Sequence, residues 1–229
     1  PVLPPDLNYS SAKFSVQDRK IRYGLEAVKG VGEKAVSHII EAREKGAPFV
    51  SLEDFAERID THMVNRRVVE NLIKCGAFDF SGDSRNSMIE RLEDVLKAAQ
   101  SLGRQRNTNQ IGLFGGQAPK IEIARRAQKL PEWPVNQKLA FEREALGFYI
   151  SGHPLEKFRK DLAKLGAKTT EQLREIGKSG QVKVGGVATT LRLKNTKKGY
   201  RYATFALEDY IGTIETIVWP DTYKQVANL

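Results

Sequence analysis

Gly30 and Gly32 carry the most direct chemical signal in this sequence. They form Gly-Val-Gly with Val31 between them, inside GLEAVKGVGEKAVSHIIEAR from Gly24 to Arg43. Two glycines so placed let the backbone turn sharply and come close to a partner. A short apolar helical run precedes them, and a second helical run opening on a small residue follows. This is the pattern of a helix-hairpin-helix. The second helix leaves its first N–H groups and the positive end of its dipole at the turn, a ready site for a phosphate. Such a site holds a nucleic-acid backbone without reading bases. The same residues also fit a plain structural turn. A dinucleotide loop would need a β-run before the first glycine. Leu25, Ala27 and Val28, with Lys29 between them and Gly30, are too short and too helical for that.

A second cluster runs from Lys178 to Arg201. It holds Lys178, Lys183, Arg192, Lys194, Lys197, Lys198 and Arg201 and no acid, with Tyr200, Tyr202 and nearby Phe205 interleaved. A basic groove with aromatic platforms is what sequence-tolerant single-strand binding requires. The alternative is a solvated sheet edge whose lysines suppress edge pairing and whose aromatics turn inward, Phe205 first among them. A third feature is the apolar island Gln110-Ile111-Gly112-Leu113-Phe114 within a polar stretch. Two neighbouring hydrophobes there could dock into a partner's groove. By spacing alone they could equally tuck back onto the preceding helices.

Catalysis finds little support. Metal-assisted nucleotidyl transfer needs carboxylates converging on two ions. The adjacent acids Glu53-Asp54, Glu93-Asp94 and Glu208-Asp209 each fit an exposed helix face or turn. His38, His62 and His153 are scattered, and Cys75 is the only cysteine, so no metal-ligand spacing is present. Cys75 in LIKCGAF reads as a small buried hydrophobe. The expectation is no catalytic residue, no metal site and no cofactor.

Composition narrows the classes further. The 229 residues carry 37 Lys+Arg against 28 Asp+Glu, a net charge of +9, which favours a polyanionic partner. One cysteine excludes an internal disulfide framework. No apolar run is long enough to span a bilayer and no signal peptide is present, so the default expectation is a cytoplasmic location. The first residue is not Met and the last follow a strand-rich segment, which is expected of a fragment of something larger.

The elements that must position these groups can be read in order. Residues 1–23 give an extended Pro-rich start and a β-hairpin, with Phe14 and Val16 facing Ile21, Tyr23 and Leu25 across the polar turn Gln17 to Lys20. Residues 24–100 give a tandem helix-hairpin-helix domain. Within it Ser51 caps a helix to Ile59, Asn65 to Cys75 forms another that Gly76 ends, and Ser84 to Gln100 forms a third. The CGAFDF turn makes the last two a degenerate second hairpin. Residues 101–130 read as a flexible basic linker. Residues 131–177 form a helical connector, with helices at Phe141 to Ile150, Leu155 to Leu165 and Thr170 to Ile176. From Val182 the period becomes two, and residues 178–229 read as a β-meander, the start of an oligonucleotide-binding barrel. The fold class expected is multidomain α+β.

These segments, in order, resemble the C-terminal half of the bacterial replicative DNA polymerase III alpha subunit. The resemblance rests on IRYGLEAVKGVGEKAV, FVSLEDFAERID, NRRVVENLIKCGAFD, QIGLFG, FEREALGFYISGHPL and VGGVATTLRLKNTKKGYRYATFALED, with LPPDLNYSSAKFSV before them and GTIETIVWPD after. GVGEKA alone is weakly specific; FEREALGFYISGHPL followed by the strand segment is highly so. The resemblance implies that Lys29, Gly30, Val31, Gly32 and Lys34 grip duplex DNA behind the polymerase site. It implies that Gln110, Leu113 and Phe114 dock on a sliding clamp, and that Arg192, Lys194, Lys197, Lys198, Tyr200, Arg201 and Tyr202 meet single-stranded template. It also implies other replicase subunits as partners and a nucleoid-associated location. The family's Mg2+-binding catalytic aspartates match no residue here. Tyr210-Ile211 is bulkier than the turn usual after Asp209, and two barrel strands are unmatched. Two rivals stay open: a stand-alone DNA-repair or recombination module, and a basic structural connector.

Overall fold

The computed structural model describes residues 2–107, 129–176 and 180–227. Gln110, Leu113 and Phe114 lie outside the described residues, as does most of the linker. The chain divides into two compact units, Pro1–Ser151 and Gly152–Leu229. The segment read as one helical connector is therefore shared between them.

The first unit opens with a small sheet of order β1-β3-β2, from β1 (Val2–Leu3), β2 (Ser15–Gln17) and β3 (Lys20–Arg22). The expected hairpin is there, closed by Asp18 and Arg19, both at positive φ as a tight two-residue hairpin turn requires. The parallel β1 was not expected. A single 3-10 turn at Leu25–Ala27 follows, then α1 (Glu33–Lys45), α2 (Leu52–Arg58), α3 (Arg66–Lys74), α4 (Arg85–Asn107) and α5 (Val135–Leu146). The first helix of the hairpin is thus shorter than the sequence suggested. Leu25 and Glu26 donate their N–H groups to the Ser11 and Ala12 carbonyls at 3.0 Å each, and the Lys29 N–H points away to the Ala145 carbonyl at 2.8 Å instead of back along the turn, so the helix ends after one turn.

The helix ends follow local chemistry. Ser51 accepts from the Asp54 N–H at 3.2 Å, and the Asp54 carboxylate reaches back to the Val50 N–H at 3.1 Å, one residue short of a full capping box. Asn65 caps α3 through the Val68 N–H. At its end the Gly76 and Ala77 N–H groups return to the Ile73 and Leu72 carbonyls, a Schellman pair. Helix α4 runs on to Asn107, past Gln100 where the sequence pattern faded. Helix α5 starts at Val135 and stops at Leu146, not at Ile150, because Gly147 takes φ +89.

One apolar cluster joins these elements, from Leu7 and Leu25 through Ile39, Leu72 and Leu92 to Leu146. Each such side chain fully buried contributes roughly 1.5–3 kcal/mol. Phe49, Phe55 and Phe78 meet edge to face, with centroids 5.1 and 5.0 Å apart. Cys75 is buried, and that burial pushes its thiol up to about 12, so it acts as a hydrophobe.

A charged cluster lies inside this unit. The Arg85 side chain is 2% exposed; it donates to Asp79 at 2.8 and 2.7 Å, to Glu142 at 3.0 Å and to the Lys74 carbonyl at 3.1 Å. Glu142 in turn accepts from the Ile150 and Ser151 N–H groups and the Ser151 hydroxyl. Burial pushes the Glu142 carboxyl up, but Ser151, Ile150 and Arg85 together outweigh it and hold it below the ordinary glutamate value.

The second unit contains a 3-10 turn at Glu156–Phe158, α6 (Arg159–Lys164) and α7 (Thr170–Glu175), then β4 (Val187–Asn195), β5 (Arg201–Glu208), β6 (Thr213–Val218) and α8 (Pro220–Val226). The meander is present, with order β4-β5-β6 and all pairs antiparallel. Only the start of a barrel was expected, and among the described residues the three strands form an open sheet, too few to close. Strand β4 begins at Val187 rather than Val182; Val184 makes only an isolated bridge to Lys168. Asp209 ties α7 to the β5–β6 turn. It accepts from the Thr170 N–H and hydroxyl at 2.6 and 2.8 Å, and from the Ile211 and Gly212 N–H groups at 2.8 and 2.9 Å. Bulky Tyr210 is accommodated by packing on His153, 4.8 Å between rings, with its hydroxyl donating to the Leu155 carbonyl. Among the described residues no helix is long and apolar enough to cross a membrane.

Glu142→Ala is expected to destabilise the first unit by about 3 kcal/mol, because it strips one partner from a buried guanidinium. The Glu142 carboxylate stabilises above its unfolded value of about 4.3, and that stability is lost as pH falls through its lower folded value. Thermal unfolding of the parent should therefore drop more steeply on acidification below that range than that of Glu142→Gln.

Candidate nucleic-acid interface

The hairpin turn is fixed from three sides. The Lys29 N–H donates to the Ala145 carbonyl of α5 at 2.8 Å, and the Lys29 carbonyl accepts from the Asn71 side-chain amide of α3 at 2.8 Å. The Val31 N–H donates to the Val28 carbonyl at 3.1 Å, and the Val31 side chain is buried in the core. Val31 is thus an anchor, and the exposed surface belongs to its neighbours. Gly30 takes φ +78, and a Cβ there would stand 2.6 Å from the Asn71 amide nitrogen. The backbone angle favours glycine here, and a side chain would in addition push the Asn71 amide off the Lys29 carbonyl.

Gly32 is the N-cap of α1, extended, with no side-chain cap. The first bond of the helix is the Val36 N–H to the Gly32 carbonyl at 3.1 Å. The Glu33, Lys34 and Ala35 N–H groups therefore have no acceptor among the described residues. Lys29, Gly30, Gly32 and Lys34 are all exposed beside them. Glu33 in the first turn complements the same dipole. Nothing within 4 Å would meet a Cβ at Gly32, so its surface is open. The arrangement can accept an anionic oxygen on main-chain donors with lysines at either side.

Beside the turn, a cleft of about 610 Å³ opens between the hairpin, α3 and α5, lined among others by Lys29, Gly30, Arg66, Arg67, Asn71 and Lys74. Arg66 pairs with Glu93 at 3.2 Å, and Lys74 with Glu70 at 2.9 Å and Glu144 at 3.9 Å.

In the second unit, strand register sorts the basic residues. Lys194 faces Tyr202 across β4–β5, and Arg192 faces Thr204, so Arg192, Lys194 and Tyr202 share one sheet face. Arg201 pairs with Asn195 and lies on the other face, since side chains alternate along a strand. Lys197 and Lys198 sit in the β4–β5 turn. Tyr200, just before β5, lies beneath the Lys224 ammonium at 5.5 Å. Phe205, on the face of Arg201, is half-buried, in keeping with an inward role. Trp219, 61% exposed, stacks against Tyr202 with ring centroids 6.0 Å apart. The sequence reading passed over it, although an aromatic directly after a period-two strand was a usable signal. Asn71 and Arg67 gave no comparable signal, because their positions matter only through contacts distant in sequence.

The adjacent acids are largely engaged. Glu53 pairs with Arg91 at 2.9 Å, Glu93 with Arg66 and Lys97, and Asp209 organises its turn. Burial raises the Asp209 carboxyl, but the Thr170, Gly212 and Ile211 N–H groups outweigh it and hold it below the usual aspartate range. The His38 ring accepts from the Asp60 N–H at 2.8 Å. Among the described residues no three His, Cys, Asp or Glu side chains gather as a metal ion would require.

Residues 1–88 match the model of the helix-hairpin-helix motif family. The chain is also similar to DNA polymerase III subunit alpha of Vibrio cholerae, 36% identical over 229 residues, covering 99% of this chain and 20% of that protein. The namesake from Aquifex aeolicus is 38% identical, covering 100% and 18%, and that of Escherichia coli strain K12 is 35% identical, covering 100% and 20%. The chain thus spans about a fifth of the length of these curated relatives.

Gly30→Ala should lower stability by about 1–2 kcal/mol, the cost of a left-handed non-glycine residue, with the Asn71 clash added. Gly32→Ala should cost well under that. Urea unfolding of the two variants measures the difference.

Proposed function

We propose, from the premise that this chain is homologous to one segment of DNA polymerase III subunit alpha, that it grips duplex DNA by the sugar–phosphate strand during replication. The observation that supports this most is the uncapped start of α1, with Gly30 held in its turn and Lys29 and Lys34 exposed alongside. A phosphate oxygen takes the free N–H groups, and the lysines neutralise its charge. Contacts of this kind hold position along the duplex and carry no sequence preference.

Two finer roles belong to the same reading. The face bearing Arg192, Lys194 and Tyr202, with the Lys197–Lys198 turn, Tyr200 and Arg201 at its edge, contacts single-stranded template by charge and stacking. Gln110, Leu113 and Phe114, by their resemblance to the family's internal motif, tether the enzyme to the sliding clamp. Other replicase subunits are the remaining partners, in the cytoplasm at the nucleoid. DNA-directed nucleotidyl transfer with Mg2+ is proposed for the whole subunit, and no catalytic residue is assigned within this segment.

Lys29→Gln with Lys34→Gln should weaken binding of a duplex several-fold, equally for unrelated sequences, and flatten its salt dependence. Fluorescence anisotropy across a salt series measures both, and unchanged affinity would remove the hairpin from the interface. Leu113→Ala with Phe114→Ala should abolish clamp binding in a pull-down while leaving duplex affinity unchanged. Retained clamp binding would contradict the tether.

A further inference from the structure

The cations around the α3 cleft fall into two groups. Arg66 and Lys74 are committed to Glu93, Glu70 and Glu144. Lys29 and Arg67 line the same cleft, are exposed, and have no carboxylate partner among the described residues. The carboxylates that also line the cleft, Glu70 and Glu144, are turned to Lys74, so the unpaired Lys29 and Arg67 leave its walls with a positive surplus that attracts an anion more than a flat surface does. Its shape suits one too. The turn is pinned to α3 by Asn71 and to α5 by Ala145, so Lys29 and Arg67 face one space from two rigidly joined elements.

The cleft also begins where the hairpin ends. Gly30 belongs to both, and the free N–H groups of α1 start three residues on. A strand whose one phosphate rests on the start of α1 has its next phosphate about one nucleotide away along the surface. We infer that the cleft between the hairpin and α3 is a second phosphate subsite for the same strand, with Arg67 and Lys29 as its two charged walls. This rests on the duplex-binding reading above and extends it from the hairpin to α3. Arg67 supplies a planar fork that can take two phosphate oxygens together, which a lysine cannot. Asn71 positions the turn and makes no contact with the strand.

The test is Arg67→Gln in the full chain, titrated with a duplex across a salt series beside the parent and the Lys34→Gln variant. Each phosphate contact contributes about 0.9 to the slope of log affinity against log salt. Arg67→Gln should therefore lower the slope by about 0.9 and weaken binding at 0.1 M salt by roughly eightfold, the factor such a slope accumulates below 1 M. Arg67→Lys should restore charge and most of the slope. Arg67 is exposed on α3, so the variant should unfold at the parent's urea midpoint, which separates a lost contact from a lost fold. If Lys34→Gln weakens binding while Arg67→Gln leaves affinity and slope unchanged, the subsite is overturned and the hairpin reading stands. If the parent does not bind duplex, both fall. Displacement of the duplex by millimolar inorganic phosphate from the parent but less readily from Arg67→Gln would support the subsite, whereas phosphate that binds the parent through Arg67 without competing with the duplex would make the cleft a small-anion site and overturn its role for the strand.

Discussion

A guanidinium taken out of water must be met by carboxylates, and much of the first unit follows from meeting that of Arg85. Asp79 does so from the turn after α3, and Glu142 from α5. Glu142 in turn gathers the Ile150 and Ser151 N–H groups, so the chain beyond α5 is folded back as well. Breaking such a pair is costly even where replacing it whole with apolar groups would not be. Its consequence is positional: α5 is held where its Ala145 carbonyl can accept the Lys29 N–H. The hairpin thus depends on a charge pair formed away from it.

The turn itself is built to keep donors free. Its own polar groups are spent on the scaffold: the Lys29 N–H and carbonyl, and the Val31 N–H. What is left over is the start of α1, where Gly32 offers no side chain to satisfy the N–H groups or to stand in front of them. A serine or aspartate there would cap the helix and occupy the place of a ligand oxygen. Helices α5, α6 and α8 also begin without a side-chain cap, so what sets α1 apart is the exposed lysines and the glycine turn beside its open start. Side-chain caps are present on α2, α3 and α7, at Ser51, Asn65 and Thr169.

Much of this was legible in the sequence. The cap at Ser51, the terminating Gly76 and the two-residue period of the strands are signals that act over a few residues; the first two are found where they were read, and the strands are found with β4 starting five residues later. The first hairpin helix was misjudged because the Lys29 N–H pairs with Ala145 of α5, a contact no local pattern encodes. Phe148, Tyr149 and Ile150 extended the apolar run of α5 past its end, although Gly147 was a visible stop. Pro220 at the first position of α8 was likewise readable and overlooked. Arg85 gave no sign of burial, since its partners come from two other segments. At the candidate interface the glycines and lysines were readable from the motif. The division of the basic strand residues between two faces needed the register, and the roles of Asn71 and Arg67 needed the tertiary contacts.

The central claim is that main-chain amides at the start of α1 receive a backbone phosphate. Amide chemical shifts of the isotopically labelled chain, followed as a short duplex is added, test it most directly. The expected result is that the largest changes fall at Gly30, Gly32, Glu33 and Lys34 and are reversed by high salt. Binding with those amides unmoved, and the changes confined to other surfaces, would contradict it.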